Sequence, residues 1–266
     1  MADPFRIIPA KNSEVPILLS VPHCGTAFPG EIKDHYKPTL IQTPDDTDWF
    51  VDMLYDFVPY LGITMITAHY SRWVIDLNRD PQSKPLYTDG RIITALCPTT
   101  TFEGEPIYQD ERKEVAEKEV DRRLDLYYHP YHRKIGELLD ERKDKFGKVL
   151  LWDCHSIRQY VRTIQKEKFP DVILGDADGT SASPGLIEAA LGVLDHSHYI
   201  VNHNHPFKGG YITRHFGIPS ENQHALQLEM TKVNYMDDAE RSYDTRRAEA
   251  MRDLLKKVFE KLIDQL

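Results

Sequence analysis

Short, unbroken apolar runs recur along this chain, separated by longer amphipathic stretches, and that rhythm leaves few folds open. The runs lie at residues 16–21 (PILLSV), 62–67 (GITMIT), 73–77 (WVIDL), 148–152 (KVLLW), 171–174 (DVIL), 199–202 (YIVN) and 225–230 (ALQLEM). Runs of this length without polar alternation fit strands covered on both faces of a sheet. Between them, 48–58 places Phe50, Val51, Leu54 and Phe57 or Val58 at helical spacing. The stretch 110–146 does the same with Val115, Leu124, Tyr128, Ile135 and Leu139, and Pro130 is expected to break or kink it. Residues 183–194 open with a proline in the favoured first turn, and 238–266 align Met251, Leu254, Leu255, Val258, Phe259 and Leu262 on one face. Strands alternating with helices predict an α/β sandwich built as one domain, residues 1–266.

Charge and composition remove several function classes. With 33 basic against 42 acidic residues the net charge is −9, which argues against nucleic acid, because phosphate-backbone affinity comes from clustered Lys and Arg. No run approaches the roughly 18 apolar residues of a membrane span. Residues 1–14 lack a basic flank followed by an apolar core, so no signal peptide is expected. Three cysteines without a CxxC suit a reducing cytoplasm better than a disulfide framework. Histidine, with 12 copies, is the residue in unusual supply.

Polar residues gather where the apolar runs end, which is where open α/β sheets bind ligands. His23 follows the first run and His155 the run at 148–152; each precedes a small residue or hydroxyl. Two imidazoles and one carboxylate with an open position form a catalytic zinc site. The Asp45–Asp46–Thr47–Asp48 cluster offers the carboxylate, although an Asp there also suits a helix N-cap. Cys24 and Cys154 neighbour the two histidines, but alternation along a strand turns them to the opposite face, so they are assigned to packing. Glu229 lies inside an apolar run, where an unpaired carboxylate costs several kcal/mol. It is either half of a buried ion pair with an Arg, or a general base beside an activated water. Arg72, Arg79, Lys208 and Arg214 sit at or just past strand ends, with Asn78 among them, and suggest a small anionic substrate held by its carboxylates. Gly209–Gly210 would let backbone approach a ligand closely, or simply form a turn. His129 and His132 flank Pro130 and fit a polar-capped helical kink better than a ligand pair.

Together, SVPHCG (20–25), DTD (46–48), SRWVIDLNR (71–79), WDCHS (152–156), PFKGGYITR (206–214) and HALQLE (224–229) resemble the N-formylglutamate amidohydrolase (N-formylglutamate deformylase) family, in order and across most of the chain. That family is similar in turn to the zinc carboxypeptidases, which implies an α/β/α sandwich with a mixed central sheet. The resemblance implies that His23 and His155 hold a divalent ion, zinc first and cobalt or another ion second. It also implies that Asn78 and Arg79, with Arg72, Gly210 and Arg214, bind substrate and that Glu229 is the base. Thr26 stands where the carboxypeptidase pattern has a Glu ligand, so the third ligand passes to the acidic cluster, Asp48 before Asp46. The implied reaction is metal-dependent hydrolysis of N-formyl-L-glutamate to formate and L-glutamate, as in histidine breakdown. The partner is then a small dianionic N-acyl amino acid, met in the cytoplasm. The alternatives are a related amidohydrolase or carboxypeptidase-like enzyme for another N-acyl amino acid, and a binding protein that keeps the carboxylate clamp without catalysis.

Overall fold

The computed structural model describes residues 3–82, 84 and 94–266. In chain order the elements are β1 (Phe5–Ile8), β2 (Ile17–Val21), α1 (Gly30–Lys33), α2 (Pro38–Ile41), α3 (Val51–Leu54), β3 (Thr64–Ala68), α4 (Glu117–Arg123), α5 (His129–Phe146), β4 (Val149–Ile157), β5 (Val172–Gly175), α6 (Pro184–Leu194), β6 (Val201–His203), α7 (Tyr211–Phe216), β7 (Gln223–Thr231) and α8 (Thr245–Gln265). The strands form a mixed seven-stranded sheet in the order β1-β3-β2-β4-β7-β5-β6. β1 runs antiparallel to β3 and β5 antiparallel to β7, while the other neighbours are parallel.

Every residue of β2, β4 and β7 is buried, as their apolar runs require. The alternation along β4 divides its side chains between two cores. Leu150, Trp152 and Cys154 join α3, α6 and α8 on one face, whereas Val149 and Leu151 join α5 and α7 on the other. The result is the expected α/β/α layering with a mixed sheet. From β2 the chain passes to β3 on one side and then to β4 on the other, so the crevice past the carboxyl ends of β2 and β4 is a topological switch point.

Several local expectations are corrected. Residues 73–77 form no strand: Val74 N–H bonds Ser71 O in a turn and Asp76 N–H bonds Leu96 O. The apolar side chains there are buried by a folded turn instead of a ladder, a distinction that a five-residue run does not carry. The helix expected over 48–58 shrinks to α3 and a separate 3-10 turn at Val58–Leu61, because Phe50 is left-handed (φ 62°) and Pro59 lacks an N–H. Neither Asp46 nor Asp48 caps α3, whose N-cap is Phe50. The long charged helix does not break at Pro130. A π-turn at Leu124–Tyr128 joins α4 to α5, with His129 N–H reaching back to Leu124 O. α8 begins only at Thr245, where the Asp244 carboxylate accepts from Arg247 N–H at 2.9 Å. The half-exposed edge strand β1 has no apolar run and went unpredicted.

Candidate metal centre

β2 delivers His23 just past its end, β4 delivers His155, and the loop before α3 delivers Asp48, whose N–H bonds the His23 carbonyl at 3.0 Å. The imidazole rings lie 5.0 Å apart, and one ligand atom from each of the three side chains falls within 4.8 Å of the others. All three are buried.

The orientation of each imidazole follows from its far nitrogen. His23 Nε2 lies 2.8 Å from Asp76 Oδ1, and His155 Nε2 lies 2.9 Å from Asp153 Oδ2. With both Nε2 atoms held by carboxylates, both Nδ1 atoms turn to the same oxygen: Asp48 Oδ2 is 3.7 Å from His23 and 3.3 Å from His155. His23 Nδ1 is buried with no hydrogen-bond partner. A lone pair facing inward on a carboxylate-anchored imidazole is the donor geometry of a metal-ligating histidine. The residues present therefore fit a divalent ion, with Nδ1, Nδ1 and a carboxylate oxygen as donors.

The charges agree with that reading. Burial works against a charged His155, but the Asp153 carboxylate and the contact with Asp48 overcome it and hold the group well above its ordinary range. Burial and the neighbouring Arg72 push His23 down. Burial alone would raise Asp76; the Arg72 guanidinium and His23 reverse this and keep its carboxylate well below the usual range. A divalent ion would displace the proton that the anionic cluster otherwise attracts to His155.

Glu229 pairs in register with His155 across β4 and β7, on the face that carries the triad. It is 8% exposed, and among the described residues no Arg or Lys forms an ion pair with it. Burial pushes its carboxyl up to about 8, opposed by His155 and reinforced by Asp48. In the metal-free chain the folded state thus keeps this proton longer than the unfolded state, whose value is about 4.3. Stability falls as pH rises from about 4.3 to about 8, and levels off above that. Metal-free Glu229→Gln should therefore melt above the parent at pH 9 and close to it at pH 4.5. Parallel melting curves of the pair across pH would contradict this placement.

The predicted substrate residues separate into two groups. Arg72 donates to Asp76 Oδ2 at 2.6 Å and lies 4.6 Å from the Phe102 ring, and Asn78 Nδ2 is 3.0 Å from His155 Nε2 and 3.4 Å from Asp153. Gly210 is the close approach, but its neighbour is Asn78: a Cβ there would stand 2.2 Å from Asn78 Nδ2. These three support the centre from behind. Arg79 reaches Asp76 at 3.3 Å and Thr94 at 3.0 Å while keeping 19% of its side chain exposed; Arg214 Nε holds Gly209 O at 2.9 Å. Lys208 pairs with Asp178 at 2.9 Å. Asp46 accepts from the Trp73 indole and Phe102 N–H, so Asp48 is the member of the acidic cluster beside the histidines. Both cysteine thiols near the histidines are pushed up by burial, and neither belongs to the triad.

Asp76 and Asp153 carry the imidazoles and were not singled out from sequence. Asp153 had a signal, since it lies two residues before His155 on the same strand face. Asp76 lies inside an apolar run whose pattern reads as a strand.

The fold and donor set define a class: an α/β sandwich with a buried His₂–Asp cluster and a buried glutamate at the switch point of its sheet. The N-formylglutamate amidohydrolase family profile matches residues 15–236. A Pseudomonas aeruginosa protein named N-formylglutamate deformylase is 39% identical over 262 residues, covering 97% of this chain and 96% of that one. One of the same name from Pseudomonas putida is 39% identical over 88% of this chain and 87% of its own length. The crystal structure of N-formylglutamate amidohydrolase from Ralstonia eutropha superposes with a TM-score of 0.81 at 30% identity, over 97% of each chain. The chain belongs to the N-formylglutamate amidohydrolase family. No helix among the described residues is long and apolar enough to cross a membrane.

Proposed function

We propose that this chain hydrolyses the formyl amide of N-formyl-L-glutamate, giving formate and L-glutamate, as its deformylase relatives are named for doing. The observation that carries the mechanism is the pair of carboxylate-anchored imidazoles turned onto one aspartate oxygen. His23, His155 and Asp48 would hold the ion, with zinc the first expectation for an N₂O donor set. When bound, it supplies positive charge that polarises the formyl carbonyl and makes water more acidic.

Glu229 takes the proton of the attacking water and returns it to the leaving amine. A group that must both accept and release a proton works best with a pKa near the working pH, and burial moves Glu229 in that direction. Arg79 and Arg214 orient the substrate's two carboxylates; Arg72, Asn78 and Gly210 act behind them, Arg72 holding Asp76, Asn78 holding Asp153, and Gly210 leaving room for Asn78. Fixing a small dianion at two points supplies orientation, which can be worth about 7–11 kcal/mol of barrier when alignment is good.

Turnover is to be measured as formate released from N-formyl-L-glutamate and N-formyl-L-aspartate and as acetate released from N-acetyl-L-glutamate. The expected kcat/KM for N-formyl-L-glutamate exceeds each of the others by about tenfold or more, the scale of one methylene or methyl group. Faster turnover of the acetyl compound, or no formate at all, would refute the assignment.

A further inference from the structure

Three consecutive carbonyls behind the centre are each held from a different element. His132 Nε2 donates to Leu77 O at 2.8 Å, Tyr211 N–H to Asn78 O at 3.3 Å, and the Tyr128 hydroxyl to Arg79 O at 2.7 Å. The segment so gripped reaches both imidazoles, through Asp76 on His23 and through Asn78 donating to Asp153, the carboxylate that holds His155. It also carries Arg79.

The grip depends on an irregular piece of helix. Tyr128 closes the π-turn and His132 lies one turn into α5. Pro130 explains the irregularity: it has no N–H for Leu126 O, and its ring crowds that carbonyl, so the ladder widens to the i→i+5 bond from His129 to Leu124. The His132 ring stacks on Tyr128 at 4.1 Å and 16°, and lies parallel to Phe216 at 5.8 Å and 16°. Because the Leu77 carbonyl only accepts, the His132 proton is on Nε2, and Nδ1 is left buried without a hydrogen-bond partner. An aliphatic or phenyl ring would fill this stack without stranding a nitrogen. What the imidazole adds is the one donor aimed at Leu77 O.

We propose that His132 and Tyr128 are positioning residues, which lock the 76–79 segment so that Asp76 holds the His23 imidazole, Asn78 holds Asp153 behind His155 and Arg79 meets substrate. This rests on His23, Asp48 and His155 being ligands. The test compares the parent with His132→Leu, His132→Gln and Tyr128→Phe. Zinc affinity is read by competition with a chromogenic chelator, and KM for N-formyl-L-glutamate is read in parallel. A packing role would rank Leu above Gln, since Leu suits the apolar stack; a donor role ranks Gln above Leu. Expected are zinc affinities about tenfold weaker for His132→Leu and Tyr128→Phe, with raised KM, and His132→Gln within about threefold of the parent. Should His132→Leu not fold, Tyr128→Phe, which deletes one oxygen, decides alone. Unchanged affinity in a zinc-binding parent's variants, or Leu outperforming Gln, overturns this proposal and leaves the ligand reading standing. A parent that binds no zinc overturns both.

Discussion

Glu229→Gln is expected to lower kcat for N-formyl-L-glutamate by about 10³-fold, within the range for removing a general base, while metal content stays at one equivalent. The amide keeps the shape of the carboxyl but carries no charge and cannot take up the proton. Its neighbours make the separation clean. Glu229 faces His155 across two fully buried strands, and the triad that would hold metal is a different set of side chains. KM should change little, because Arg79 and Arg214, which orient the substrate in this account, are untouched. The same substitution relieves the metal-free protein of a carboxylate that burial disfavours, so a variant that is both more stable at high pH and nearly inactive would be the signature of a functional charge kept at a cost. Turnover within about tenfold of the parent would remove Glu229 from the base role.

Loss of the ion has the second large effect. Chelated protein should release formate at a rate below detection, and His23→Ala or His155→Ala should remain inactive when zinc is returned. The reason is geometric: each imidazole is committed through Nε2 to its own carboxylate, so neither can swing to replace the other. His155→Ala would leave Asp153 behind as a buried anion, and removing one partner from such an arrangement costs several kcal/mol, whereas Asp76 in His23→Ala keeps Arg72 and Arg79. Folding of the alanine variants is therefore to be checked by circular dichroism before metal is counted.

The residues that the sequence exposed are those whose role follows from strand phase. Period-two alternation in β4 separated His155 from Cys154, and the structure places Cys154 with Trp152 in the opposite core. An apolar run interrupted by one acid marked Glu229 for the same reason. The acidic cluster left two candidates, and only the turn that gives Asp46 to the Trp73 indole sets Asp48 beside the histidines. Contacts between distant segments had no local trace. Nothing near Asp76 says that a turn, rather than a strand, would carry it to His23, and nothing around Gly210 says that its missing side chain makes room for Asn78. Pro130 was visible, and propensity argues for a break or a kink; there is no break, and the packing of Tyr128 and His132 over the 76–79 segment accompanies a π-turn that continues the helix.

The most direct test is a zinc titration of the chelated chain with formate release from N-formyl-L-glutamate as the readout. Activity should rise in proportion to added zinc and reach its plateau at one equivalent per chain, with His155→Ala flat throughout. Full activity in the chelated protein, or no formate with zinc, cobalt, manganese or nickel, would contradict a His23–Asp48–His155 metal centre acting on this substrate.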